Sequence, residues 1–307
     1  MDKLVSNIVF TKNRPLQLHA YLESLYRYLP AGLIQTYIIY KAELFGREYE
    51  QLFGEFPGCV VVTEGDFHSD FLRVLGRCDT KYILFGVDDV VYFDGVDFEL
   101  VDRTFTDYAA DIFGFTMRFS PESLGADESI TKLTVAGREV YRLNWKKGRT
   151  PHARYPFELC STVYTTELVR KIVNGTMNTN PLAGKLFSPS SALVKALGEG
   201  PWRRSILKKF GFFFSPNTLE SWNCRWCREH PDLLPDFTYF QRLCASAVQV
   251  NMVNTTTKNT FDGSDETTVE ALGAKYKQGY RLDIDFVAAN RPTGPSCGLS
   301  HFRLVKK

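Results

Sequence analysis

Short apolar runs alternate with longer stretches whose apolar residues recur at helical spacing, and this alternation dominates the first 120 residues. Residues 8–11 read as a strand. After Asn13-Arg14-Pro15 a helix runs through Tyr28, with Leu16, His19, Leu22, Leu25 and Leu29 near helical spacing and Pro15 in its first turn. Residues 36–40 predict a second strand, 47–56 a helix stopped by Pro57-Gly58, and 59–63 a third strand. A helix over 67–77 leads into residues 82–87, an uninterrupted apolar run of the kind needed by a strand buried on both faces. A helix over 98–108 and a strand over 112–116 complete this half. The pattern predicts an α/β fold of βα units with a mostly parallel, Rossmann-like sheet flanked by helices.

The second half is less regular. Residues 120–156 are polar and contain glycine, which predicts an irregular insertion with a hairpin over 131–135 and 140–145. Residues 162–164 and 167–173 read as strand then helix, ended by Asn174-Gly175. Pro181, Pro189 and Pro201 interrupt any pattern between 177 and 214. Beyond His230 the expectation is helix in parts, a β-branched run over 247–253 and a final helix over 267–280. The chain is expected to form one continuous domain whose halves are residues 1–120 and 121–307.

Composition narrows the class. With 307 residues, 44% of them hydrophobic, the chain can bury a large core. Lys and Arg number 37 against 35 Asp and Glu, so no global basic field points to nucleic acid as a partner. Seven scattered cysteines, several in apolar runs, read as reduced thiols, and Met1 to Ser6 lead into the first strand without a hydrophobic leader. The expected location is the reducing cytoplasm. No apolar segment approaches the ~20 residues that span a bilayer, so any membrane contact is peripheral.

In an open parallel sheet ligands gather at the carboxyl ends of the strands. Four such ends carry polar groups: Thr11-Lys12-Asn13-Arg14, Lys41-Ala42-Glu43, Glu64-Gly65-Asp66 and Asp88-Asp89. Adjacent carboxylates repel each other, a cost offset when a divalent cation lies between them and a substrate phosphate; hard oxygen ligands suit Mg2+ or Mn2+. Asp88 and Asp89 would serve equally as a turn or a helix cap. Their place between residues 82–87 and the further apolar run 90–93 favours the functional reading.

Residues 10–15, the following apolar strands and Val87-Asp88-Asp89 together resemble the donor-binding half of family-2-like glycosyltransferases with the GT-A fold, in the nucleotide-diphospho-sugar transferase superfamily. The resemblance covers about the first 120 residues. It implies transfer of a sugar from a nucleotide-diphosphate donor, a UDP-sugar first, to a glycan hydroxyl with an Mn2+ or Mg2+ cofactor. Against the family's Asp-x-Asp motif, Val87-Asp88-Asp89 lacks the first acid, which makes Asp89 the metal ligand and Asp88 its helper. His301, six residues from the C-terminus, is the implied further ligand. Arg14 would meet the diphosphate or the base edge, Thr11 the uracil, and Glu64 or Asp70 the base or ribose.

An inverting transferase needs a base for the acceptor hydroxyl. Glu220, in the segment Ser215-Pro216-Asn217-Thr218-Leu219-Glu220-Ser221-Trp222, has the right setting, although with Asn217 as cap it would also complete a capping box. Glu158 is the rival base. A sugar nucleotidyltransferase shares this fold but usually carries a glycine-rich loop where residues 11–15 have no glycine. A non-catalytic glycan-binding protein would also explain the incomplete acidic motif and the many aromatics. Cys224, Cys227 and His230 are spaced C-x-x-C-x-x-H, without the second ligand pair a zinc site needs. Residues 201–214 pair four cations with aromatics; they fit either a peripheral membrane contact or a helix whose phenylalanines enter the core.

Overall fold

The computed structural model describes residues 3–125, 129–177, 180–198, 200–253 and 263–307. The βα alternation is present: β1 (Val5–Lys12), α1 (Pro15–Tyr28), β2 (Ile34–Lys41), α2 (Gly46–Glu55), β3 (Val60–Thr63), α3 (Phe67–Arg77) and β4 (Tyr82–Val87). These strands pair in parallel in the order β3-β2-β1-β4. Successive side chains point to opposite faces, and both faces are covered. Val9 and Leu84 pack with Leu18, Leu22 and Leu25 of α1, whereas Ile8, Phe10, Ile83 and Phe85 pack with Phe71 and Val74 of α3. The caps are local: Asp66 accepts from the Ser69 amide to start α3, and Pro15 is the first residue of α1.

Gly86 in β4 is required by close packing. A Cβ there would fall 2.1 Å from the Tyr21 hydroxyl, which donates to Asn7 Oδ1 at 2.7 Å inside the core. Gly86→Ala is therefore expected to lose about 1–3 kcal/mol of stability by overpacking, read as a shift of the urea midpoint. An unchanged midpoint would show that Tyr21 moves aside freely.

Then follow β5 (Val90–Tyr92), α4 (Phe98–Asp107), β6 (Ile112–Thr116), α5 (Pro121–Leu124), the hairpin β7 (Ile130–Val135) and β8 (Arg138–Leu143), β9 (Thr162–Thr165) and α6 (Thr166–Thr176). β9 inserts between β4 and β6, antiparallel to both. After α7 (Pro181–Phe187), α8 (Ala192–Ala196), α9 (Pro201–Lys209) and α10 (Pro216–Glu229) comes β10 (Asp236–Phe240), parallel to β6 and antiparallel to β8. The sheet thus reads β3-β2-β1-β4-β9-β6-β10-β8-β7, parallel in its first part and mixed beyond. The chain closes with β11 (Ala245–Val248), α11 (Val269–Lys277), β12 (Tyr280–Leu282), α12 (Ile284–Ala289), β13 (Ser296–Cys297) and β14 (Leu304–Lys306). A small second sheet, β13-β11-β5, supports the segment after the acidic pair.

Several expectations are corrected. The helix expected over 167–173 does not stop at Asn174-Gly175; Gly175 lies in the last turn of α6, where the Trp226 ring occupies the space of a Cβ. The region beyond His230 contains the strand β10, and the helix near 269–277 is followed by α12. Phe212 and Phe213 are buried, so the phenylalanines of 201–214 enter the interior. All seven cysteines are free thiols. Among the described residues no helix is long and apolar enough to cross a membrane.

Candidate active site

The carboxyl ends of β1, β2, β3 and β4 open onto one cavity of about 340 Å³, lined there by Thr11, Arg14, Lys41, Glu64, Asp88 and Asp89. Asp88 and Asp89 form the turn between two buried strands, β4 and β5. The pair is thus a turn that also lines the cavity, because β5 leaves into the second sheet and carries the pair inward.

Asp88 is fully engaged. Arg14 Nη1 donates to its Oδ1 at 2.8 Å, and the Thr11 hydroxyl donates to its Oδ2 at 2.8 Å. Thr11 Oγ1 in turn lies 2.8 Å from the Tyr49 hydroxyl, which accepts the Arg14 amide at 2.9 Å. A continuous chain of hydrogen bonds thus fixes the loop, the arginine and the acid together. Buried Asn13 ties the loop to the segment after β2: it adopts a left-handed conformation (φ 55°), and its Oδ1 accepts the Glu43 and Leu44 amides.

Asp89 is differently placed. Its Oδ2 is 3.4 Å from Arg14 Nη1, its side chain is 18% exposed, and its carbonyl accepts the Val248 amide at 2.8 Å. Arg14 also donates through Nη2 to the Asn251 carbonyl. One buried guanidinium therefore serves both acids and a segment 237 residues away. Burial pushes the Asp88 carboxyl up, Arg14 opposes this and Asp89 adds to it, leaving the value raised; for Arg14, burial lowers the pKa and the two aspartates outweigh it, leaving that value raised too. Both Asp88 oxygens accept hydrogen bonds, which favours the charged form against that burial.

Across the cavity stands Glu220 of α10. The cap of α10 is Ser215, whose capping box is completed by Thr218, so neither Asn217 nor Glu220 has the capping role. Glu220 Oε1 accepts the Leu159 amide at 3.0 Å. Burial pushes its carboxyl up to about 7, with Glu158 adding to the rise and the Leu159 amide, Arg118 and a hydrogen bond with Tyr155 opposing it. Glu158 has no such freedom. Its Oε2 accepts from Arg118 Nη1 at 3.1 Å, and its Oε1 accepts from the Thr116 and Thr162 hydroxyls. It is the counter-ion of buried Arg118 and is not among the cavity-lining residues.

Glu64 lines the cavity, its carboxyl pushed up by burial against the pull of Lys41 and Lys12. Asp70 does not: its Oδ2 accepts the Gly65 and Asp66 amides at 2.8 and 2.9 Å, bracing the turn that presents Glu64. His301 pairs with the Ser300 hydroxyl at 2.9 Å. Among the described residues no three His, Cys, Asp or Glu side chains gather to hold an ion, so His301 does not complete a ligand set with Asp88 and Asp89; Cys224, Cys227 and His230 form none either. Sequence reasoning missed Tyr49, Arg118 and Asn251. Arg118 lies two residues past β6 and was open to the strand-end rule; the other two had no local signal.

No family model matches the chain. A curated relative, the bifunctional glycosyltransferase pgtA of Dictyostelium discoideum, is 22% identical over 191 residues, 55% of this chain and 25% of that protein. Among solved structures, S. aureus TarS 1-349 matches at TM-score 0.39 and 14% identity over 54% of this chain and 48% of the other; a complex of it with UDP-GlcNAc matches at 0.38. The mannosyltransferase PcManGT of Pyrobaculum calidifontis, in complex with GDP-Man and Mn2+, matches at 0.34 and 10% identity over 56% and 47%. The matches span about a quarter to a half of these proteins' lengths, and the curated relative to which this α/β chain is similar is a glycosyltransferase.

Proposed function

We propose that the chain transfers a sugar from a nucleotide-diphosphate donor, UDP-linked in the first instance, to a hydroxyl of a glycan acceptor, with inversion. The observation that carries this reading is a single cavity with Asp89 at the strand ends and Glu220, a carboxyl poised near 7, on α10. Residues 1–120 form the donor side and the remainder the acceptor side. Thr11, Arg14 and Glu64 lie on the donor side, Glu64 as a base or ribose acceptor of hydrogen bonds. The acceptor hydroxyl gives its proton to Glu220 as its oxygen bonds the anomeric carbon; the bond to the diphosphate breaks and its electron pair leaves with the phosphate. A base with a pKa near the working pH suits this step.

The donor set around Asp89 fits a hard cation shared with the substrate, since Mg2+ and Mn2+ sites of this kind use one or two carboxylates and phosphate oxygens. Asp89 would hold it, with Asp88 orienting Arg14 and the loop. When bound, the ion neutralises charge on the departing diphosphate. Incubation with a panel of nucleotide sugars and Mn2+ is expected to release free nucleoside diphosphate from one of them, faster with acceptor and slower with chelator. A nucleotidyltransferase would release the nucleoside triphosphate in the presence of pyrophosphate instead, and a binding protein would release nothing.

A further inference from the structure

Helices α7, α8 and α9 close around a small core of their own, Val194, Leu207 and Phe212, with Phe187 stacked on Phe210 at 3.8 Å. That core accounts for the side chains facing inward and leaves an unusual set outside. Of eight large hydrophobic side chains exposed among the described residues, five fall here: Leu182, Leu186, Leu193, Leu197 and Trp202. Trp202 is 79% and Leu182 70% exposed, so these are not partly covered core residues. Leu182 and Leu186, like Leu193 and Leu197, are four residues apart and share a helical face.

The charge around them is one-sided. Between residues 180 and 214 lie Lys185, Lys195, Arg203, Arg204, Lys208 and Lys209 against the single acid Glu199. Elsewhere the balance reverses, to 31 Lys and Arg (37 less 6) against 34 Asp and Glu (35 less 1). The positive field is therefore local to the exposed apolar set. Leucines and a tryptophan interleaved with lysines on short helices match a bilayer interface, where apolar groups enter the acyl boundary and ammonium groups meet lipid phosphates.

We propose that the outer face of α7, α8 and α9 docks on the anionic surface of a lipid bilayer, with Trp202 and the four leucines inserted and the lysines against the headgroups. α9 also sends Arg203 and Arg204 to the wall of the cavity, so docking sets the cavity beside the membrane. A membrane-attached glycan as acceptor follows only on the transferase reading above; docking itself does not depend on it.

Flotation of the whole chain with vesicles tests this. Binding is expected to vesicles containing about one third phosphatidylserine and not to phosphatidylcholine alone, and to weaken with salt. Each basic residue near such a surface contributes about fivefold in affinity, so Lys208→Glu with Lys209→Glu should weaken binding at least ~25-fold. Trp202→Ser with Leu182→Ser should weaken it as well. Circular dichroism and nucleotide-sugar hydrolysis in solution report whether the variants fold and whether the active-site reading stands, independently of the vesicles. Failure of the wild-type chain to float with anionic vesicles overturns the proposal, as does flotation that both variants leave unchanged. A dimer that Trp202→Ser with Leu182→Ser makes monomeric, in a protein that does not float, would assign the face to a second copy.

Discussion

Glu220→Gln is expected to lower turnover by about 10²–10⁴-fold while the Michaelis constant for the donor stays within a few fold, because only the proton acceptor is removed. The amide oxygen of Gln can still accept the Leu159 amide that Glu220 Oε1 accepts at 3.0 Å, so the fold around it is kept. With the carboxyl pushed up to about 7, the base is half ionised there, and kcat/KM of the wild-type chain should rise with pH through about 7 and level above it. The glutamine variant should lack that limb. Linkage gives a second readout of opposite sign. A carboxyl whose folded pKa lies above its unfolded value stabilises the fold below about 4.5, and that contribution is lost as pH rises through about 7. Replacing Glu220 should thus raise stability at pH 8 relative to pH 5, by up to about 3 kcal/mol. Near-normal turnover in Glu220→Gln with donor binding unchanged would remove Glu220 from the mechanism.

The second large effect is on stability. Arg14→Met should cost about 3–5 kcal/mol, since it leaves Asp88 buried and Asp89 beside it without their cation and frees the Asn251 carbonyl. The cost arises from stranded charge and not from lost volume. Adding Asp88→Asn to Arg14→Met should therefore recover part of the loss, a non-additivity that urea titration of the two single variants and the double variant would measure. Arg14→Lys should fall between, because an ammonium cannot span Asp88, Asp89 and Asn251 with a planar fork. If the double variant is less stable than Arg14→Met alone, the pair is held by packing and the electrostatic account fails.

The strands β1 to β4 were legible because a strand buried on both faces must be apolar throughout, as residues 82–87 are, and because polar residues at its end stand out against that background. The same contrast made Thr11, Arg14, Glu64, Asp88 and Asp89 visible together. What the sequence hid was whatever depends on distant partners. β13 is two residues long and β5 three; neither has a periodicity to read, and each exists because β11 pairs with it. β10, preceded by Pro235, lies where helix in parts was expected and is a strand because β6 and β8 take its two edges. Asp70 and Glu158 carry the same chemistry as Glu64 and Glu220, and only the amides, hydroxyls and arginine that saturate them tell the two pairs apart. The cap of α10 was misread by two residues, since Pro216 favours the first helical position and so makes Ser215 the cap.

Asn251 is tied three ways: its carbonyl accepts from Arg14, its Oδ1 accepts from Gln17, and its Nδ2 donates to the Thr267 carbonyl at 2.7 Å. Gln17, Asn251 and Thr267, far apart along the chain, therefore meet at one amide side chain, and Thr267 also donates to the Val250 carbonyl. Moving Asn251 would disturb at once the first turn of α1, the turn that leads into α11, and the arginine that holds the two acids, so a change in any one of these three elements is felt by the other two.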